Sequence, residues 1–568
     1  MVKGAASRVI APLRRFRRRE DGSLIVFGLF LFATAFLMSG MAVDVMRSEN
    51  RRAALAQTLD RCTLNAAALR QTLDPATVVR DCVDREGLLP FLKSVTVTSV
   101  AGARSVEAKG DIPVETFFMH ASGVDTLNVG ARSKAEQRAT NIEIVLALDV
   151  SGSMNTNDRI GGLRTAARNF VTTVLGNNTD RISIAVVPYN GQVNLGPALA
   201  AKYNITHQPG LTTTTNGDMR NVNCVDMPAS VYTYTGIPRT LAMPATGWVD
   251  AFSTAAQNAT YSTSGMSPNG SNVWCPPSTT NVVRMPDDNI TNLNTYLGNL
   301  NAIGATSINA GVKWAGALLD PEARSVVNEF VTAGTVPPEF RDRPFDYSKR
   351  DALKIIVLMT DGENFGDVRL NDSPTNYRTG LSPVFRGTDG NFSIQFLTGR
   401  PTAAGTNQFW VPHRDPDNNS TNGIQGEWRA TSWGGTTSTQ GTQLTWQQLW
   451  QHATPSWVAW HLYARALRSA TADRQALYNT QFAAFRTQRG SSTSTPEMDA
   501  ELQQICNLTK QQGVLIYGIA FSAPTRGITT TRNCASSDGH FFTSTNNTAL
   551  NAAFQAIATN ITQLRLVN

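Results

Sequence analysis

The residues best placed to do chemistry in this 568-residue chain are oxygen donors. Asp149-Val150-Ser151-Gly152-Ser153 reads D-x-S-x-S directly after the apolar run Ile142 to Leu148. Gly304-Ala305-Thr306-Ser307 precedes an apolar segment of helical spacing, and Met359-Thr360-Asp361-Gly362 closes another apolar run. The hydroxyls of Ser151, Ser153 and Thr306 are neutral donors, while Asp149 and Asp361 bring charge. This set suits a hard cation, because magnesium takes octahedral oxygen coordination, keeps several waters and needs few carboxylates. The aspartates would act through waters and through hydrogen bonds that orient the serines. With neutral direct ligands a bound ion keeps much of its Lewis acidity and can accept a carboxylate from a partner. The expectation is one divalent cation, magnesium ahead of manganese or calcium. The alternative is structural: Ser151 and Ser153 cap a helix and Asp149 satisfies the loop.

Collecting residues so far apart in the chain demands a particular scaffold. Ile142–Asp149, Arg181–Pro188, Leu353–Met359 and Val514–Ala520 are short apolar runs of the kind that form strands buried on both faces. His540–Thr543 reads as a short edge strand. Between the runs, Ile160, Leu163, Ala167, Phe170, Val171 and Val174 recur at helical spacing, as do Ile308–Leu319 and Glu497–Gln512. Leu550, Phe554, Ile557, Ile561 and Leu564 mark a closing helix. The alternation predicts an α/β fold, a doubly wound, mostly parallel, Rossmann-like sheet covered by helices on both faces. The carboxyl ends of such strands share one edge where ligands bind, and that edge would gather all five oxygen donors. Two segments, about 191–300 and 363–495, are dense in Asn, Thr, Ser, Gly, Pro and Trp and break the rhythm. They read as insertions leaving from strand ends on the ligand edge, so they are expected to flank it.

The N-terminal region has a different character. Leu24 to Val43 is an uncharged apolar run of 20 residues ending at Asp44. A bilayer core of ~30 Å needs about 20 helical residues, so the run is long enough to span. A cleaved signal peptide would show a shorter apolar region of ~7–15 residues and an A-x-A-like site. Lys3, Arg8, Arg14, Arg15, Arg17, Arg18 and Arg19 precede the run, which keeps that end cytoplasmic by the positive-inside rule. Much of the net charge of +7 therefore sits in a short tail at the membrane, and no nucleic-acid face is expected. The domain plan is a basic tail at 1–22, a transmembrane helix at 23–43, a stalk at 44–140 and a main domain at 141–568. In the stalk, Asp44–Gln71 reads as helix with Leu55, Leu59 and Leu64 as its stripe. Pro75 opens a second helix, and Val95–Val100, Ser105–Ala108 and Leu127–Ala135 read as strands, making a small α+β unit.

Six cysteines, Cys62, Cys82, Cys224, Cys275, Cys506 and Cys534, contain no C-x-x-C pair, which speaks against a thiolate zinc site. Beyond the membrane they could form three disulfides, for which 15 connectivities exist. Pairing sequence neighbours is the expectation, Cys62 with Cys82, Cys224 with Cys275 and Cys506 with Cys534; buried free thiols are the alternative.

The three oxygen-bearing motifs, in this order, resemble the metal-ion-dependent adhesion site of von Willebrand factor A (vWA) domains. The resemblance implies Ser151, Ser153 and Thr306 as direct ligands and Asp149 and Asp361 as water-mediated ones. The whole chain further resembles the TadG-like proteins of Tad/Flp pilus assembly. That likeness is carried by Glu20-Asp-Gly-Ser23 before a single span, by Val514–Phe521, Asn533-Cys-Ala535 and His540-Phe-Phe542, and by the closing helix. It implies a non-enzymatic adhesion or assembly component of a pilus or secretion apparatus, anchored in a bacterial inner membrane with its bulk periplasmic. A protein partner, presenting a carboxylate, is the implied ligand of the metal face. The Glu that pilin-like relatives carry early in the apolar segment is absent after Gly22, which speaks against prepilin-type cleavage. Other readings are a minor or tip adhesin of the pilus, and a metal-dependent hydrolase. None of the six histidines, His120, His207, His413, His452, His461 and His540, adjoins a nucleophile or zinc-protease motif.

Overall fold

The computed structural model describes residues 21–68, 73–100, 103–138, 141–176, 181–206, 223–246, 257–266, 275, 280–349, 351–415, 423–436, 439–491 and 494–563. The basic tail and His207 lie outside them. The chain divides into two compact units, Met1–Arg138 and Ala139–Asn568.

In the first unit the helix does not stop where the apolar run ends at Asp44. It continues as one helix, α1 (Asp21–Ala67). The stretch from Ser23 contains a window apolar and long enough to cross a membrane, with mean hydropathy 2.2. Helix α2 (Pro75–Arg85) begins as read, with Asp74 accepting the Thr77 amide at 2.9 Å and Pro75 in the first turn. Strands β1 (Leu92–Val100), β2 (Ala103–Glu115) and β3 (Thr126–Arg138) form an antiparallel meander in that order. Leu55, Leu59, Cys62 and Ala66 of α1 pack against Val79 and Val83 of α2 and Val106 and Ala108 of β2. One expectation fails here. Leu64 is 65% exposed, because five residues after Leu59 turn it away from the stripe; Cys62, three after, takes the buried place. Cys62 is disulfide-bonded to Cys82, tying α1 to α2.

The second unit is built on one six-stranded sheet. Its elements begin with β4 (Asn141–Asp149), α3 (Arg159–Leu175), β5 (Ile182–Tyr189), β6 (Arg284–Asp287), α4 (Ile290–Gly298), α5 (Ile308–Leu319) and β7 (Ala352–Thr360). The segment between 363 and 495 adds strands β8 (Leu381–Arg386), β9 (Phe392–Gln395), β10 (Phe409–Val411), β11 (Glu427–Arg429) and β12 (Thr442–Thr445), and the helix α6 (Thr471–Phe485). The chain closes with α7 (Pro496–Gln511), β13 (Leu515–Phe521), α8 (Thr525–Cys534), β14 (Phe541–Ser544) and α9 (Asn547–Gln563). The central order is β14-β13-β7-β4-β5-β6, parallel throughout except for the antiparallel edge strand β6. Val145 and Ala147 of β4 share a core with α5 and with Leu502 and Ile505 of α7. The alternating Ile144, Leu146 and Leu148 are equally buried on the opposite face. Helices α3 and α9 meet through Phe170 and Phe554, edge to face at 5.9 Å.

Taken over the whole chain the sheets are mixed, not mostly parallel. The segment after Asp361 holds a five-stranded antiparallel sheet, β11-β10-β9-β8-β12. It surrounds an aromatic core that includes Trp410, Trp446, Trp450, Trp457 and Trp460. The earlier segment does not run to residue 300 as an insertion, since β6 and α4 belong to the main layers. The two segments interlock. Arg378 of the second pairs with Asp226 of the first at 2.6 Å, both buried, and Arg465 donates to the carbonyls of Ala259, Ile424 and Gln425. The remaining disulfides are Cys224–Cys275, within the first segment, and Cys506–Cys534, joining α7 to α8.

Candidate metal centre

Parallel register sets the site. Asp149 ends β4 and Thr360 ends the neighbouring β7, with Leu148 opposite Met359. Their side chains meet, and the Thr360 hydroxyl donates to the Asp149 carboxylate at 2.7 Å. The other Asp149 oxygen accepts the Ser151 amide at 2.8 Å, so the chain folds back immediately after the strand. That turn carries the Ser151 and Ser153 hydroxyls to within 2.9 Å of each other. Asp361, one residue past β7, accepts from Ser153 at 2.7 Å and from Ser151 at 3.4 Å, both on Oδ1.

The Thr306 loop is laced to both neighbours through its backbone. Ile303 donates to Val150 at 2.8 Å, and Gly152 donates to Gly304 at 2.8 Å. Phe365 donates to the Thr306 carbonyl at 2.8 Å. A side chain at Gly152 would meet the Gly304 carbonyl at 3.1 Å, and one at Gly362 would meet the Thr306 hydroxyl at 3.2 Å. Glycine at these two positions lets the three loops close on one another. Asp149, Ser151, Thr306 and Asp361 are buried, whereas Ser153 is exposed and opens the cluster outward.

Three residues escaped the sequence reading. Arg159, the first residue of α3, lays its guanidinium on Asp361 Oδ2 at 2.9 Å. Asn157 and Asp158 make this possible by adopting φ of 53° and 54°, a left-handed pair that turns the chain back before the helix. Asn190 donates to the Ile303 carbonyl at 2.9 Å and accepts the Ser307 amide on its own carbonyl at 2.7 Å. Asn364 accepts the Ile308 amide at 2.7 Å, fixing the start of α5 directly after Thr306. Arg159 had a usable signal, being the first cation after the D-x-S-x-S turn. Asn190 and Asn364 had none, since Asn is abundant in both flanking segments.

The electrostatics favour a cation. Burial, then the charge of Asp361, push the Asp149 carboxyl well above the usual carboxylate range, while hydrogen bonds from Ser151 and Thr360 pull the other way. Two carboxylates held this close and this dry call for positive charge, and Arg159 neutralises one lobe of one of them. The donors are all oxygens and mostly hydroxyls, a set that fits a hard divalent ion. Among the described residues no group of three or more His, Cys, Asp or Glu side chains converges, so the donor set here depends on serine and threonine. The described histidines lie elsewhere. His461 is buried in the aromatic core beside Trp457, His413 packs on Trp433, His452 faces Phe392, His120 belongs to the first unit, and His540 bonds Ser537 at 2.7 Å.

No protein-family model matches the chain, and no curated protein matches it. Among solved structures, the chain is similar to the pilus adhesin SpaC from Lactobacillus rhamnosus GG, at 10% identity and a TM-score of 0.28. That alignment covers 83% of this chain and 34% of SpaC, so the chain spans about a third of its length. The vWF domain of the type V pilus tip protein Mfa5 from Porphyromonas gingivalis aligns at 12% identity and a TM-score of 0.27, over 75% of this chain and 96% of that domain. The pilus adhesin RrgA from Streptococcus pneumoniae aligns at 11% identity and 0.30, over 82% and 50%. With scores this low the likeness decides nothing, and the reading of the site rests on its own residues.

Proposed function

We propose that the second unit is a vWA-like domain whose strand-edge cluster binds one divalent cation, magnesium first, and through it grips a protein partner. The single observation carrying this is the convergence of Ser151, Ser153 and Asp361 within hydrogen-bond distance, with the Thr306 loop laced against them. When bound, the ion supplies Lewis acidity toward a partner carboxylate. The chain's own residues do the rest. Ser151, Ser153 and Thr306 present neutral oxygens, Asp149 and Asp361 hold charge behind them, and Thr360 and the Ser151 amide fix the orientation of Asp149. The aromatic core of the second inserted segment packs against Ala305 and Phe365 beside the cluster, so that segment is suited to select the partner.

The sequence likeness to TadG-like proteins makes a Tad/Flp-type pilus or secretion apparatus the setting we infer. The chain would be an anchored, non-enzymatic assembly or adhesion component there, its bulk beyond the inner membrane. Tagged full chain should recover its partner from detergent-solubilised membranes in magnesium and lose it in chelator. Ser153→Ala should lose it in both. Equal recovery in all conditions, from a folded variant, would remove the metal from the interaction.

A further inference from the structure

The connection between β2 and β3 sits on the apolar run of α1. Phe36, Gly40 and Asp44 follow one another at four-residue spacing, so they share one face of the helix. The Phe118 ring lies edge-on to Phe36 at 5.8 Å and occupies the space a side chain at Gly40 would need. The buried Asp44 carboxylate accepts the amides of Phe117, Phe118 and Met119 at 3.0, 2.7 and 2.8 Å. The amides of Thr116, Ala121, Gly123 and Val124 donate to carbonyls of the same tip. Irregular backbone is tolerated within the hydrocarbon only where protein buries it, so the exposed residues of this tip, His120 to Gly123, belong at the headgroup level. The Phe117 ring is 67% exposed, with the Arg47 guanidinium 4.0 Å from its centre.

Length decides where this tip lies. The part of the run before Phe36, Leu24 to Ala35, would reach only about 18 Å at ~1.5 Å per residue, against a hydrocarbon core of ~30 Å. A span built from this run must therefore use the turns that carry Phe118. We propose that the β2–β3 tip dips into the headgroup layer of the bilayer's outer face, with Phe117 as an interfacial anchor and Arg47, held over that ring and 3.8 Å from Asp44, at the level of the lipid phosphates. The occupant of this surface is lipid, because the tip is continuous with the spanning helix. Aromatic rings and basic side chains at a span's end favour that boundary. The inference rests on the anchor reading of α1.

The test uses full chain in phosphatidylcholine–phosphatidylglycerol vesicles carrying a nitroxide high on the acyl chain. Phe117→Trp places a reporter at an exposed position and leaves the packed Phe118 untouched. Leu64→Trp, also exposed but 24 residues beyond Gly40 and so ~36 Å along the same helix, is the reference. The ten native tryptophans all follow residue 247, and the parent chain supplies their background. The added emission of Phe117→Trp should be blue-shifted and quenched by the nitroxide, while that of Leu64→Trp should be neither. Quenching of Phe117→Trp no greater than that of Leu64→Trp, in chain that floats with the vesicles, would overturn the proposal. Chain that fails to float would sink the anchor reading and this inference with it.

Discussion

Arg159 shows how much of the cluster's behaviour turns on one residue. Its guanidinium already supplies a positive charge to Asp361, so a divalent ion entering beside it meets repulsion and a carboxylate oxygen already engaged. Arg159→Gln should therefore tighten magnesium binding by at least about tenfold, since tenfold is only ~1.4 kcal/mol and a nearby unit charge is worth a few kcal/mol at an effective dielectric of ~20. The same change should destabilise the chelated chain, by about 3 kcal/mol at most, because Asp361 is buried and loses its partner. Titration calorimetry and chelated thermal melts measure the two effects; weaker magnesium binding together with unchanged stability would contradict the assignment. That the five oxygen-bearing residues share one sheet edge was legible because each lies just past the end of an apolar run or just before a helical one. The residues that hold the loops were not, because Asn190 and Asn364 act through backbone contacts that leave no pattern in the sequence.

At the scale of elements, the buried strands of the central sheet announced themselves as uninterrupted apolar runs. The edge strand β6 did not, because its four residues include Pro286 and the charged Arg284 and Asp287. The antiparallel sheet after Asp361 was missed for a related reason. Its strands are three to six residues long, too short for a period to register. Five tryptophans sit among the aliphatic residues of its core. That core has a measurable liability. Burial, then the charge of Arg465, drop the His461 imidazole to about 3, and burial drops His413 to about 4. Both pKa values are depressed in the folded chain. The stability each contributes is complete above the unfolded value of ~6.5 and is lost as pH falls through the folded value. Parent chain should lose stability progressively from pH ~6.5 downward, and His461→Phe should flatten that slope. Urea melts at stepped pH measure it, and parallel slopes for parent and variant would show that His461 takes up its proton in the folded chain as readily as in the unfolded one.

The molecule as a whole joins an apolar helix and small disulfide-tied unit to a large α/β unit bearing one oxygen-lined edge. Its charged fraction is 16%, against roughly 25% in typical soluble domains, a composition that suits an exported surface. All six cysteines are spent in three disulfides, which matches an oxidising compartment. In the function we propose, the anchor and the partner-binding edge work together only if that edge holds its ion. The most direct measurement is magnesium titrated calorimetrically into chelator-stripped full chain, beside Asp149→Ala/Asp361→Ala. Parent chain should take up a single ion, and the double variant, folded by circular dichroism, should take up none. Equal uptake by both, or none by the parent chain, would contradict the metal centre and the adhesive function built on it.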